Sequence, residues 1–445
     1  MIGSLVWETG PRGLYPFPRV RQMADHRDSS PKILPLREQA QVVDGLLATR
    51  FSTLLPAVMR ETGFDMWLII CNEDHYDPVF RTIVPWSCWA PILQMVVFYD
   101  PGPGQEVERI NISRTNMQGL MPESPWNPES EEDQWACLNR IVSERNPKRI
   151  GINHSSTIWA ADGLTASLKE RLVEALGPGT SDKLTPAEIL CIRWLETRIP
   201  EELDLYQQAN RIAHYLIAEV FSRNTITPGV TQIADLRWAY WQLANDLGLP
   251  VSFPPFFRRF RSPAHQRMWG EEDQTIRHGD ILHCDVGVTY LRLTTDHQEL
   301  AYVLHPDETE PLQGLQSAMV EGNHLQDVFT GSWEIGLSGN QILNRALSRA
   351  REAGISKPKI YSHSLGHYLH EPGPLMGLPW EQGSIPGRGD VVMHPNTCYT
   401  VELSVTRPVP EWENEEVTFM LEQNAAITTD GVVYINGRQT QFHLI

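Results

Sequence analysis

The sequence predicts an α+β protein, with a smaller α/β domain over residues 1–190 and a larger α+β domain over residues 191–445. Two observations carry that reading. In the first part, short apolar runs alternate with helical patterns, the signature of strands and helices packed in layers. In the second part, strand-like runs hold isolated acids and are separated by helical patterns. Between them, near residues 180–200, the chain turns into a long amphipathic helix.

Residues 1–35 are rich in Pro, Gly and Arg and read as irregular, and residues 36–62 suit a helix. FDMWLIICNED and ILQMVVFYD read as buried strands, the second closed by the turn PGPGQ. KRIGINHSS is a third strand, and the stretch from Trp159 through Ala175 is helical. Pro200, Glu201 and Glu202 then form a good first helical turn, because Pro has no N–H to leave unbonded there and acids favour the positive end of the helix dipole. TPGVTQ breaks that helix, and IADLRWAYWQLANDLGL makes another. The strand-like runs that follow are GDILHCDVGVTYLRLTTD, ELAYVL, DVVMHPNTCYTVELSV and VTFMLEQNAAITTDG, with helical patterns around 311–330 and 339–353.

Composition narrows the function. The chain has 445 residues, 41% of them hydrophobic and 21% charged, as in an ordinary soluble protein. Its formal charge is −18, from 37 basic and 55 acidic side chains, with no basic cluster, so no nucleic-acid partner is expected. Six cysteines are scattered without a C-x-x-C pair and fit reduced thiols in a cytoplasmic protein. MIGSLVWETGPRGLYPF is a poor signal peptide, and no 18-residue run is uninterruptedly apolar, so no membrane span is expected. The first part holds no G-x-G-x-x-G or P-loop, which leaves nucleotide binding without support.

Chemistry concentrates in the last third. Asp285 stands in ILHCDVG and Asp296 in LTTDHQ, eleven residues on, and a hairpin between them can bring the two acids opposite or diagonal to one another. His363 lies in SHSLGHYLHEPGP with His367 and His370; Gly366 and Pro372 argue against a helix there, and the zinc-protease phrase H-E-x-x-H is absent. Glu402 and Glu422 each interrupt an apolar, strand-like run. A buried carboxylate without a partner costs several kcal/mol or becomes neutral. Metal coordination removes that difficulty for all four acids at once. Four carboxylates and an imidazole can hold two divalent cations about 3.5–4 Å apart, with Mn, Zn, Co or Fe all compatible with the donor set.

These phrases, in this order, resemble the metallopeptidases of family M24, the creatinase, prolidase, aminopeptidase P and methionine aminopeptidase group with the pita-bread fold. Asp285 matches the family's D-x-G aspartate and Asp296 its second aspartate. His363 matches the ligand histidine, Glu402 the T-[VI]-E glutamate and Glu422 the closing glutamate before ITTDG. The resemblance implies two metal ions held by Asp285, Asp296, His363, Glu402 and Glu422, manganese foremost. His370 matches the catalytic histidine of the His-Glu phrase, and His265 is the nearest match to an upstream histidine, with His283 and His297 as alternatives. RWLETRIPEELDLYQQA and ITPGVTQ extend the likeness upstream, and the length resembles aminopeptidase P and prolidase.

The implied enzyme is a homodimeric Xaa-Pro peptidase that cleaves short peptides with a hydroxide bridging the metals. Glu402 would shuttle protons, and His370 and His265 would stabilise the oxyanion. Tyr361, Tyr368 and Trp380 are candidates for a pocket around the proline ring. Three positions depart from the family pattern: Met420 replaces an arginine two residues before the last glutamate, Leu403 replaces a proline, and D-x-T-R reads Asp296-His297-Gln298-Glu299. The alternative they raise is a non-peptidase C–N hydrolase or lyase on the same scaffold.

Overall fold

The computed structural model describes residues 30–445, so the irregular start expected for residues 1–35 lies almost wholly outside the described residues. A continuous helix runs from Leu36 to Thr62, with one wider turn at Arg50–Leu54. By length and composition it could cross a membrane, but 44% of its most apolar stretch is buried in the protein. Its apolar residues recur at helical spacing rather than in one run, and Leu47, Phe51, Leu55, Val58 and Met59 enter the core beneath it.

That core covers one face of a five-stranded sheet ordered Glu108–Asn111, Leu93–Tyr99, Met66–Asn72, Ile150–Ile152, Leu184–Pro186. The central strand shows why its sequence is almost entirely apolar. Trp67, Ile69 and Cys71 face the core under the first helix, while Met66, Leu68 and Ile70 face a second core. The second core is closed by helices Gln134–Arg145 and Ala166–Leu176.

The single helix expected from Trp159 to Ala175 is broken. A 3₁₀ turn at Trp159–Ala161 precedes a separate helix that starts at Ala166, with Thr165 as its N-cap. Gly163 lies between them against the buried Asp77 carboxylate, where an added Cβ would come within 1.9 Å of Oδ2. Helical periodicity on both sides of such a contact does not reveal the break.

After helix Glu188–Glu196, whose apolar residues still belong to the first core, the chain enters the long helix Pro200–Val220. The Glu202 carboxylate accepts the Ile199 N–H at 2.9 Å, closing the first turn in the manner of a capping box. Helices Pro200–Val220 and Ile233–Asp246 pack on one side of the remaining strands, and Gln313–Thr330 and Gly339–Glu352 on the other.

Three sheets lie between these helices. The first is ordered His443–Leu444, His297–Tyr302, Ile281–Val286, Phe256–Phe260. The second is Lys359–Ile360, Leu403–Val409, Glu415–Leu421, and the third Thr397–Thr400, Asn424–Thr428, Gly431–Tyr434. A backbone pair between Gln298 and Glu422, with both N–H···O bonds at 3.1 Å, stitches the first sheet to the end of the second.

Candidate metal centre

Strand register assembles the site. Strand Ile281–Val286 pairs antiparallel with His297–Tyr302, Asp285 opposite Gln298. Asp296, two residues before Gln298, therefore lies diagonal to Asp285 on the same face. The return between the acids is a hairpin of Thr289–Tyr290 with Leu293–Thr294, turned by Leu291 and Arg292 at φ 53° and 62°. Two left-handed residues match the mirror-image turns that follow strand twist. The Arg292 guanidinium anchors this turn by donating to the Val84 and Pro85 carbonyls. Gly287 admits the returning strand, since a Cβ there would lie 2.0 Å from the Thr295 carbonyl oxygen.

The glutamates come from the second sheet. Leu403 pairs with Leu421, so Glu402 and Glu422 flank the same end of that ladder. His363 is held from both sides: its N–H donates to Thr400 Oγ1 at 3.2 Å, and its carbonyl accepts the Thr400 N–H at 3.0 Å.

Asp296, His363 and Glu422, all buried, bring one ligand atom each within 4.8 Å of one another, and His363 Nε2 is 3.6 Å from Asp296 Oδ2. Asp296 Oδ1 and Glu422 Oε1 are buried without a hydrogen-bond partner. Asp285 and Glu402 stand beside this group in more open positions. Burial, and then its proximity to Asp296, raises the Asp285 carboxyl to about 8; burial raises Asp296 to about 8 as well. Glu402 and Glu422 are raised well above the carboxylate range by burial, and then by the other acids. Burial lowers His363 to about 4, so the imidazole is neutral and its nitrogen lone pair is available. Orphaned oxygens, carboxyls that resist ionising together and a neutral imidazole fit a divalent cation, which supplies the missing positive charge.

His370 is exposed, with its ring edge-on to His363 and the centroids 4.3 Å apart. Tyr361 is buried close enough to Glu402 for that acid to raise its hydroxyl further, after burial itself. Tyr368 turns away, donating to the Pro78 carbonyl at 2.7 Å and meeting Trp159 edge-on, and Trp380 is 80% exposed.

His265 is not brought to the cluster. Phe256 pairs with Asp285 and Phe260 with Ile281, so the chain beyond Phe260 leaves from the far end of the strand, about 13 Å from Asp285 at the usual rise. His265 lies out there in helix Pro263–Trp269, against His305 at 5.7 Å between rings. Spacing from Asp285 counts residues, and the hairpin reverses their direction.

Three residues beside the site were not among the sequence candidates for it. Gln298 Nε2 donates to Glu402 Oε1 at 2.6 Å and to Glu422 Oε2 at 3.0 Å. Arg258 lies opposite His283 and lowers the tendency of Asp285 to hold its proton. Arg388 adds positive charge near His363 and His370. The altered D-x-T-R phrase marks Gln298 in the sequence; the two arginines carry no comparable local signal.

Carboxylates and an imidazole converging from two sheets of a mixed α/β fold define a metal-dependent hydrolase. A model of metallopeptidase family M24 matches residues 204–433, and the chain belongs to that family. Its fold is the family's pita-bread fold, preceded by the smaller N-terminal sheet domain.

Among solved structures it is similar to an X-Pro aminopeptidase from Thermotoga maritima MSB8, with 14% identity, 87% of this chain and 100% of that chain covered, and a TM-score of 0.60. It is similar to an Xaa-Pro dipeptidase from Bacillus anthracis at 16% identity, 91% and 100% coverage and a TM-score of 0.57. A dipeptidase PepE from Mycobacterium ulcerans gives 14% identity, 91% and 98% coverage and 0.58. At these identities the likeness is one of fold. No curated protein matches the sequence.

Proposed function

We propose that this metallopeptidase is an Xaa-Pro peptidase of the aminopeptidase or dipeptidase type, acting on short peptides with two divalent ions, manganese foremost. The observation that carries the reading is the buried Asp296–His363–Glu422 group with its orphaned oxygens. Titles of structural neighbours that name X-Pro and Xaa-Pro peptidases support the substrate class. Asp296, His363 and Glu422 would hold one ion, and Asp285 with Glu402 would complete the place for the second. Bound divalent ions would polarise the scissile carbonyl and lower the pKa of water.

The chain's own groups do the rest. Glu402 is open enough to meet water and is placed to take a proton and pass it to the leaving nitrogen. His370, exposed beside His363, donates a hydrogen bond to the carbonyl oxygen as charge develops there. Tyr361, beside Glu402, offers an aromatic edge for a proline ring. In this reading the chain divides near residues 190–191, and it works in the cytoplasm as a homodimer whose N-terminal domains shape the entrance.

The test is a panel of X-Pro dipeptides and tripeptides with added Mn²⁺. Turnover of at least one is expected; no turnover by protein shown to carry metal would sink the peptidase reading. A second reading, a non-peptidase C–N hydrolase or lyase, is favoured by Met420, which is buried opposite Ser404 and places no cation where the family usually has arginine. Small amides and amidines in the same panel separate the two.

A further inference from the structure

Three antiparallel strands of the larger domain come to the same end, and the chain beside each one brings a histidine there. Ile281 pairs with Tyr302 on one side and with Phe260 on the other. The ladder runs one step further: the Gly279 N–H donates to the Val303 carbonyl at 2.6 Å, and the Val303 N–H to the Asp280 carbonyl at 3.0 Å. His278 therefore stands just before strand Ile281–Val286 and His305 just after His297–Tyr302. His265 follows strand Phe256–Phe260, in helix Pro263–Trp269. The His305 ring is 5.7 Å from that of His265 and 6.0 Å from that of His278, centre to centre.

Gly279 keeps the space among them open. At φ 84° it turns the chain into the strand, and a Cβ there would come within 2.8 Å of His305 Nε2 and 3.4 Å of His265 Nδ1. Two imidazole nitrogens thus face one small volume over the glycine. His265 Nδ1 is shielded from solvent and has no hydrogen-bond partner among the described residues. His278 Nδ1 is 2.5 Å from the Leu304 carbonyl oxygen, which can only accept. That nitrogen therefore carries the proton of the neutral ring, and Nε2 keeps its lone pair. Fixing one ring nitrogen on a backbone carbonyl is how histidine ligands are oriented in metal sites. The nearby guanidiniums do not stand against a cation, because Arg261 is held by Asp280 at 2.7 Å and Asp273 at 2.9 Å. Glu308, which accepts the His305 N–H at 2.9 Å, adds negative charge at this end. His278 is exposed and the other two rings are half-buried, so a hydrated ion can enter.

We propose that His265, His278 and His305 form a site for a divalent cation of the zinc type, separate from the carboxylate centre. Imidazoles suit Zn²⁺, Ni²⁺ and Cu²⁺, whereas Mn²⁺ prefers oxygen donors. Three imidazoles on one tetrahedral zinc ion have centres roughly 5 Å apart, so these rings need to close by about an ångström. The ion joins helix Pro263–Trp269 to the outer ends of two strands whose inner ends lie at Asp285 and Asp296, and so braces the strands that carry those acids.

The probe is zinc itself, titrated into the chelator-treated full-length protein against a chromophoric chelator, with Mn²⁺ in excess for the carboxylate centre. Wild type should bind one more zinc ion than His305→Gln or His278→Gln. Zinc should also raise the melting temperature of wild type more than that of either variant. The two changes fall on different segments, so either one decides the count should the other fail to fold. Anomalous diffraction at the zinc edge from a wild-type crystal should show a peak about 2 Å from a nitrogen of each of the three histidines.

An equal zinc count in wild type and a folded variant would overturn the proposal, as would a map with no peak among the three rings. A peak there without the extra ion in solution would mean binding at crystal concentration only, and would overturn it too. The site does not rest on the peptidase reading: failure of every X-Pro peptide would leave it standing.

Discussion

Among the described residues, two of the buried clusters of charge are built on opposite plans. Where helix Leu36–Thr62 meets residues 193–202, Arg50, Arg193 and Arg198 face Glu196, Glu202 and Glu371. Arg50 Nη1 is 2.7 Å from Glu202, Arg193 Nη1 is 3.1 Å from Glu196 and Arg198 Nη2 is 3.5 Å from Glu371. Three cations match three anions, and Arg50 adds a bond to the Thr197 carbonyl at 2.9 Å. At the other cluster, Asp285, Asp296, Glu402 and Glu422 gather around a neutral imidazole, a glutamine and the guanidinium of Arg258, with Arg388 on the histidine side. In the first cluster each of these carboxylates has a guanidinium partner from the polypeptide, although Glu196 Oε2 and Glu371 Oε2 accept no hydrogen bond. The second makes electrostatic sense only with cations from outside, which is how a structural network and a binding centre differ when both are buried.

The largest effect that sharpens this contrast is expected from Asp296→Asn or Glu422→Gln. Either should abolish hydrolysis and tight Mn²⁺ uptake while leaving the circular dichroism spectrum and the chelated protein's melting temperature at or above the wild-type value. Turnover retained by either variant would show the ligand assignment to be wrong.

Arg198→Ala should do the reverse. Removing one member of the paired network leaves buried carboxylates uncompensated, at a cost of about 3–5 kcal/mol in denaturant unfolding. A cost below about 1 kcal/mol would make that network dispensable.

Next in size is a pH effect on the metal-free protein. Asp285 and Asp296 are raised from 3.8 to about 8 on folding, so the folded state holds their protons more tightly than the unfolded chain. Their contribution is fully present below about pH 4 and is lost as pH rises toward 8. Unfolding of the chelated protein should therefore become easier as the pH rises across that window. Mn²⁺ should restore more stability at pH 8 than at pH 6. Stability that rises with pH across the window after chelation would contradict it.

The smallest effect is expected from Trp380→Ala. The ring is 80% exposed, so stability should move by less than about 0.5 kcal/mol and X-Pro turnover should hardly change.

The strands were legible because their apolar runs are long and, in the N-terminal sheet, buried on both faces, as at Met66–Asn72. The break before Ala166 was not, since a tertiary contact at Gly163 decides it. Among the candidate ligands, Asp285, Asp296, Glu402 and Glu422 stood out because acids inside apolar runs are costly and need a reason, and His363 because its SHSLGHYLHEPGP phrase resembles the family's ligand histidine. His265 misled because linear spacing does not say which end of a hairpin a residue reaches. Arg258 stayed hidden, and His283 stood only as an alternative upstream histidine, for a related reason: their places come from cross-strand register, which a single chain does not display. Gln298 could be seen only as an oddity in a phrase until the structure aimed its amide at both glutamates.

The most direct measurement of the central claim is anomalous diffraction from a crystal of the full chain soaked in Mn²⁺. The account predicts a strong peak in contact with Asp296 Oδ1, Glu422 Oε1 and His363 Nε2, with a second peak toward Asp285. A map with no peak among those three side chains, from protein that diffracts well and has its fold intact, would contradict it.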